Sequence, residues 1–205
     1  MSKKGIIMVI SGPSGCGKGT VVKSFREMVP DLGFSVSATT RAPREGEING
    51  VDYHFISHEE FRRMIDMGEM LEYNEYCGNF YGTPKSEADN AANAGVDLIL
   101  EIESNGAFNV KKVYPDAVLI MLMPRTSSEL EERLKGRASE TDEVIKARLA
   151  TAEHEIRLAP GYDYIVVNET GKIDECAGKL KSILMAEQSK SFRMADAVNT
   201  FLDNQ

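Results

Sequence analysis

After Ser11, the apolar run Ile6-Ile7-Met8-Val9-Ile10 gives way to Gly12-Pro13-Ser14-Gly15-Cys16-Gly17-Lys18-Gly19-Thr20, and Val21, Val22, Phe25, Met28 and Val29 follow at helical spacing. Strand, glycine-rich turn and helix in that order leave few folds open, because the turn must join the end of a buried strand to the positive end of a helix. The glycines let the backbone curl with several N–H groups pointing inward, and Lys18 can reach the outer phosphates of a nucleotide. A polyphosphate is the first ligand expected, held by residues Gly12 through Thr20. An incidental glycine turn with a stray lysine is disfavoured by the G-x-x-x-x-G-K spacing in this context. The usual pattern places Ser or Thr directly after the lysine to hold Mg²⁺, whereas here Gly19 takes that place and Thr20 follows. Successive helical side chains are rotated by about 100°, so Thr20 is expected to reach the metal through water.

Four further readings bound the class of protein. A chain of 205 residues suits one unit with inserted pieces. The net charge of −8, with no polybasic run, excludes a general nucleic-acid binder. Cys16, Cys77 and Cys176 lie far apart without metal-ligand spacing, and His54, His58 and His154 show none either. Free thiols suit a reducing compartment, with Cys16 a small filler whose backbone matters more than its sulfur. The first apolar run is too short for a secretory signal or a membrane span, so a soluble, cytoplasmic protein is expected.

Runs rich in Ile, Val and Leu at Ile6 to Ile10, Val96 to Ile102, Ala117 to Met123 and Tyr164 to Val167 lack in-out alternation and are separated by helical segments. That order predicts an α/β fold with a parallel sheet covered by helices on both faces. Phe34 to Ala38 is expected to supply a fifth strand. Ser57 with Glu60 and Thr126 with Glu129 fit capping boxes, while Pro30, Gly68 and Pro115 mark stops. Between the first two long strands lies a β-rich insertion with a strand at Tyr53 to Ile56 and a hairpin over Met70 to Tyr81, turning around Gly78-Asn79. A second insertion follows Pro124, with helices over Glu129 to Arg137 and Asp142 to Leu158 that carry Arg133, Arg137 and Arg148. The tail from Ser189 has Met194, Val198, Phe201 and Leu202 at helical spacing and either docks as a last helix or frays.

Three constellations outside the loop point to chemistry. Arg41 and Arg44 sit on a polar loop ahead of Tyr53, and such guanidinium forks grip phosphate bidentately. Two loop arginines alone are usually solvated charge; the neighbouring motifs reverse that reading. Glu72 lies on the hairpin, and a carboxylate accepts hydrogen bonds only, so it complements the adjacent N–H donors of a guanine edge and rejects adenine. A lone hairpin glutamate is otherwise a solvated one. Glu101 and Glu103 end an apolar run where an open α/β sheet presents groups to its ligand, a place where carboxylates commonly hold Mg²⁺.

Taken together, Gly12-Pro-Ser-Gly-x-Gly-Lys18, the segment from Phe34 through Arg41, Arg44, Tyr53 and Phe55, the hairpin from Glu72 through Thr83, and Arg133-Leu-Lys-Gly-Arg137-x-Ser-Glu-Thr resemble guanylate kinase from about Lys4 to Met185. The resemblance implies a P-loop NTPase-type core (4–35, 92–124 and 160–185), a GMP-binding insertion (36–91) and a helical lid (125–159), within a unit of residues 1–185 followed by a tail (186–205). It implies MgATP-dependent phosphorylation of GMP. Ser37, Arg41, Arg44, Tyr53, Glu72, Tyr81, Thr83 and Glu103 would form the GMP site, the two arginines and two tyrosines taking the phosphate. Lys18 and its loop would hold ATP, Arg133, Arg137 and Arg148 would close over the phosphates, and Asn168 would sit near the adenine. Lys18, Arg44 and the three lid arginines would be the catalytic groups, and Thr20 and Glu101 would face the metal. Two departures stand out: Gly19, and Glu101-Ile-Glu103-Ser-Asn-Gly where the family often has aspartates followed by Gln-Gly. An extra methylene moves a carboxylate by roughly an ångström, so the waters around Mg²⁺ or the contact to the guanine amine are expected to rearrange. A non-catalytic binding module of the same fold, and a kinase for a phosphorylated sugar, are the rival readings. Oligomeric state and use of dGMP stay open.

Overall fold

Strand β1 (Ile7–Ser11) is central because every one of its side chains is apolar or small and all are buried. The computed structural model describes residues 4–136 and 141–203. Around β1, a five-stranded sheet assembles from β2 (Gly33–Phe34), β7 (Leu98–Glu101), β8 (Val118–Pro124) and β9 (Tyr164–Asn168) in the order β2-β7-β1-β8-β9. Every pairing in it is parallel. The side chains of β1 alternate between two cores: Met8 and Ile10 pack with Val21, Phe25, Cys176 and Leu180, while Ile7 and Val9 pack with Leu100, Val110 and Met121. Helices α1 (Lys18–Met28) and α7 (Ile173–Gln188) therefore cover one face, and α4 (Ser104–Val113) the other. With both faces dry, hydrophobic alternation vanishes from the sequence, as a covered parallel sheet requires. Phe25 is fully buried, and burying a side chain of that size contributes roughly 1.5–3 kcal/mol.

A second sheet, in the order β4-β3-β6-β5, is built from β3 (Ala38–Thr39), β4 (His54–Phe55), β5 (Met70–Tyr76) and β6 (Asn79–Pro84). Helix α2 (His58–Asp66) packs on it through Phe61, which stacks on Phe80 at 5.2 Å. Helix α3 (Lys85–Ala94) leads back to the main sheet. After β8 come α5 (Ser127–Lys135) and α6 (Asp142–Arg157), joined by a small core of Leu130, Leu134, Ile145 and Ala152. The caps expected at Ser57 and Thr126 form, each side chain accepting the N–H three residues on, and Thr141 caps α6 in the same way. Among the described residues no helix is long and apolar enough to cross a membrane.

The structure corrects several boundaries. The single strand expected over Phe34 to Ala38 is two: Ser35 still donates to Ile99 of the main sheet, and from Ser37 the backbone pairs with His54 of the second. An apolar stretch does not reveal that it changes sheets midway. The hairpin turns at Cys77-Gly78, one residue earlier than expected, with φ of 49° and 74°, and Asn79 already pairs with Tyr76. Positive φ at both central residues is the twist-matched two-residue turn. Strand β7 ends at Glu101, so Glu103 is no strand residue but the N-cap of α4, and it is exposed. The tail forms α8 (Ala195–Asp203), whose Val198, Phe201 and Leu202 are exposed. Arg193, in the turn before it, anchors the segment by donating to the Asp116 carbonyl at 2.8 Å.

Candidate active site

All site elements gather at the carboxyl ends of the parallel strands, where an open α/β sheet leaves a crevice. The loop after β1 wraps the start of α1, and Gly17, its N-cap, has φ of 90°. A Cβ there would lie 2.7 Å from the Asn168 amide nitrogen, so both backbone conformation and space call for glycine. Behind the loop, the Cys16 carbonyl accepts from Asn168 Nδ2 at 2.8 Å and from Arg133 Nη1 at 3.0 Å. Arg133 also donates to the Asn168 carbonyl at 2.8 Å and to Glu129 at 2.5 Å. Within the loop the Cys16 N–H donates to the Pro13 carbonyl at 3.1 Å, so this residue's backbone is held at both its N–H and its carbonyl. Cys16 is fully buried, and burial pushes its thiol up while the Lys18 charge opposes it.

Lys18 lies over this cradle, its Nζ donating to the Gly12 carbonyl at 2.6 Å. Gly19 and Thr20 are exposed on the first turn of α1, Pro13 is buried and Gly15 half-buried. Arg148 of α6 donates to Ser14 Oγ at 2.6 Å, tying the helix to the loop. Arg133 and Arg148 thus meet the loop directly, whereas Arg137 lies outside the described residues.

Facing the loop is a cleft of about 500 Å³ lined by Lys18 at the start of α1, by Glu101 at the end of β7, by Glu72 and Tyr81 of the second sheet, and by Ser37 and Tyr53 just before its strands β3 and β4. Asn74 and Glu103 join its wall and meet through Asn74 Nδ2 and Glu103 Oε2 at 3.3 Å. Glu72 is half-buried, not the solvated residue an isolated glutamate would be, and it accepts from Thr83 Oγ1 at 2.7 Å. Burial raises its pKa, the Thr83 hydrogen bond opposes this and the Glu103 charge adds to it. Gly106 in the first turn of α4 stands directly behind it: a Cβ would come 2.7 Å from Glu72 Cγ. Burial likewise raises Glu101, with Lys18 opposing. Burial raises Glu155 of α6 too, with the Lys18 charge opposing and the Glu103 charge adding to it.

Beside Tyr53 lies the arginine pair. Arg41 stacks over the Tyr53 ring at 5.5 Å and the Phe55 ring at 5.7 Å. Its Nη1 and Nη2 bind the two oxygens of Glu47 at 2.8 and 2.9 Å, and the Arg44 backbone N–H donates to the same carboxylate at 2.6 Å. Arg44 itself is exposed. These hydrogen bonds, that from Arg41 foremost, pull Glu47 down to about 2. Glu87 of α3 similarly ties two parts together, accepting from the Val36 N–H at 3.3 Å and contacting His54 Nε2 at 3.2 Å. Glu87, Gly106 and Glu155 carried no sequence signal of their own. Only Glu47 had a usable one, its i+6 and i+3 spacing to two arginines across a turn.

Among the described residues no group of three or more His, Cys, Asp or Glu side chains could hold a metal ion. Glu101 lines the cleft beside Lys18 and Thr20 is exposed on the first turn of α1; so sparse a set of oxygens fits a cation that keeps most of its water and binds mainly to substrate phosphates, as Mg²⁺ does.

Known proteins agree with this architecture. Residues 4–187 match the family model of guanylate kinase. A guanylate kinase of Desulfitobacterium hafniense is 47% identical over 186 residues, covering 91% of this chain and 92% of its own. One from Halalkalibacterium halodurans is 43% identical and covers 98% of both. The crystal structure of guanylate kinase from Anaplasma phagocytophilum superposes with a TM-score of 0.73 at 36% identity, covering 94% of this chain and 91% of its own. A glycine loop, a second sheet and a cleft between them, with identity of this extent, place the chain in the guanylate kinase family.

Proposed function

We propose that the protein transfers the γ-phosphoryl group of ATP to GMP, giving ADP and GDP, as a soluble cytoplasmic catalyst. The observation that carries the reading is the single cleft in which Lys18 and Glu101 face Glu72, Tyr53 and Tyr81. The glycine loop and Lys18 take the donor phosphates, and the acceptor lies under the second sheet. Residues 36–91 form the acceptor-binding insertion and 125–159 the lid, both moving on a core completed by residue 185, while 186–205 form a tail.

No general base is needed, because the acceptor phosphate is already anionic near neutral pH. The task is to bring two anions into line and to spread positive charge over the group in flight. Lys18, Arg44, Arg133, Arg137 and Arg148 supply that charge, with Arg41, Tyr53 and Tyr81 gripping the acceptor phosphate. Glu72 reads the N–H edge of guanine, Ser37 and Thr83 serve its other edge and Glu103 its amine. Glu101 and Thr20 would hold Mg²⁺ through water, and the ion would supply neutralisation of the donor phosphate charge. Closure of lid and insertion excludes water that would otherwise take the phosphoryl group.

A coupled assay of ADP release with GMP, dGMP, AMP, IMP and UMP, with Mg²⁺ and then Mn²⁺, tests this. GMP should be preferred over AMP by a factor on the order of 10³ or more, since AMP leaves a buried carboxylate facing an acceptor. Equal rates with both purines, or no turnover with GMP, would refute the proposal.

A further inference from the structure

We infer that Glu47 is a positioning residue for the acceptor phosphate: it fixes Arg41 so that one edge of the guanidinium remains for the substrate. The inference rests on the acceptor reading above. A guanidinium has five N–H donors and two edges that can bind an oxyanion bidentately, one formed by the two terminal nitrogens and one by Nε with a terminal nitrogen. Glu47 occupies the first edge with both oxygens, at 2.8 and 2.9 Å, and Nη1 spends its second hydrogen on the Ala42 carbonyl at 2.7 Å. What Glu47 and Ala42 leave is the Nε edge; the Tyr81 hydroxyl also interacts with this guanidinium, and the stack on Tyr53 and Phe55 sets the plane in which it lies. A phosphate arriving beside Tyr53 meets that edge without Arg41 having to change rotamer.

The same carboxylate accepts the Arg44 N–H at 2.6 Å. It therefore closes the turn that carries the second arginine, and one side chain fixes the first guanidinium and the backbone from which the second springs. Placing an anion near a phosphate site would be a defect if it were a free charge. Here its charge is absorbed by hydrogen bonds from Arg41 and Arg44, and what it contributes is geometry. Two long, flexible side chains on an exposed loop lose much rotamer entropy on binding unless something holds them beforehand.

The test separates this role from general support of the loop. Binding of GMP and of guanosine, which lacks the phosphate, is measured by calorimetry for the wild type, Glu47→Ala and Glu47→Gln. The alanine variant should lose roughly 10- to 100-fold in GMP affinity, the scale on which a group supporting a ligand-holding side chain matters, with guanosine affinity unchanged. Gln keeps one acceptor oxygen and should fall between. If Glu47→Ala does not fold, the Gln variant decides alone by the same criterion. Wild-type GMP affinity in the folded variants, or equal loss of GMP and guanosine affinity, would overturn the inference. A wild type that binds no GMP would instead sink the acceptor reading itself.

Discussion

The loop after β1 and the arginine pair before β4 flank one cleft but are built from different materials. The loop offers backbone: its shape follows from glycines, from the start of α1 and from one carbonyl held by Asn168 and Arg133. The pair offers side chains on a polar turn, where Glu47 holds the Arg41 guanidinium and the Arg44 backbone. A backbone cradle is fixed once strand and helix are fixed, whereas a side-chain fork needs a partner to hold it. The loop is thus held by construction and the fork by bracing, which suits the proposed division into a fixed core and an insertion that closes over the acceptor.

Removing the one side chain that the loop contributes gives the largest expected effect. Lys18→Met should lower turnover by on the order of 10³-fold or more, the range for a charge aimed at the transferred group. GMP affinity measured without ATP should stay within about twofold, since the acceptor grip owes nothing to the lysine. A matching loss of GMP affinity would mean that the two regions are a single site.

Glu72→Gln tests the base reader and, through its titration, the contrast between a buried carboxylate and a braced one. The Gln variant should lose about 10- to 100-fold in kcat/KM for GMP, the equivalent of roughly 1.5–3 kcal/mol for a hydrogen bond to a charged group. Its stability should move the other way. The folded-state pKa of Glu72 is raised above the ordinary 4.5, first by burial. Its contribution to stability is therefore fully present below about pH 4.5 and is lost as pH rises through the folded value, because the ionised form is disfavoured inside. Glu72→Gln should melt higher than wild type at pH 7, and the gap should close near pH 4. Glu47, pulled from 4.5 down to about 2, has the opposite sign. It stabilises the fold above pH 4.5 and loses that effect as pH falls toward 2. Glu47→Gln should melt lower than wild type at pH 7, again converging in acid. Melting curves of the two variants that shift in the same direction would contradict the contrast.

How much of this was legible follows from the range over which each feature is decided. The glycine loop, the parallel sheet and the caps at Ser57 and Thr126 depend on residues within a few positions, so the sequence carries them. Glu72 was visible as a candidate, but its burial depends on Thr83 across the hairpin and Gly106 on a distant helix. Glu87 joins Val36 and His54, and no periodicity reports such a contact. The break between β2 and β3 was hidden because both halves of the segment read as strand. Glu47 escaped since a glutamate in a polar turn is ordinary until the turn folds it back on Arg41.

Gly106→Ala should have a smaller effect and isolates packing behind the reader. Alanine favours a helix over glycine by about 1 kcal/mol, which offsets part of the clash with Glu72 at 2.7 Å. Thermal stability should stay near wild type while kcat/KM for GMP falls about tenfold, the carboxylate being pushed off its line. An unchanged GMP-to-AMP ratio would show that Glu72 adapts, and that the second region tolerates movement where the loop does not.

The smallest effect is expected at the hairpin tip, which bears on the stability of the second sheet alone. Cys77 is exposed with φ of 49°, a conformation that costs an L-residue, and Gly78 follows at 74°. Asn tolerates that region and Asn-Gly is the favoured pair for such a turn, so Cys77→Asn should stabilise by about 0.5 kcal/mol, part of the roughly 1–2 kcal/mol left-handed penalty. The check is a rise in the urea midpoint at constant slope, with GMP kinetics unchanged. No rise would mean that the strand pairing of β5 with β6, and not its turn, sets the stability of the sheet. The bracing by Glu47 and Glu87 would then add to that strand pairing in keeping the insertion's shape.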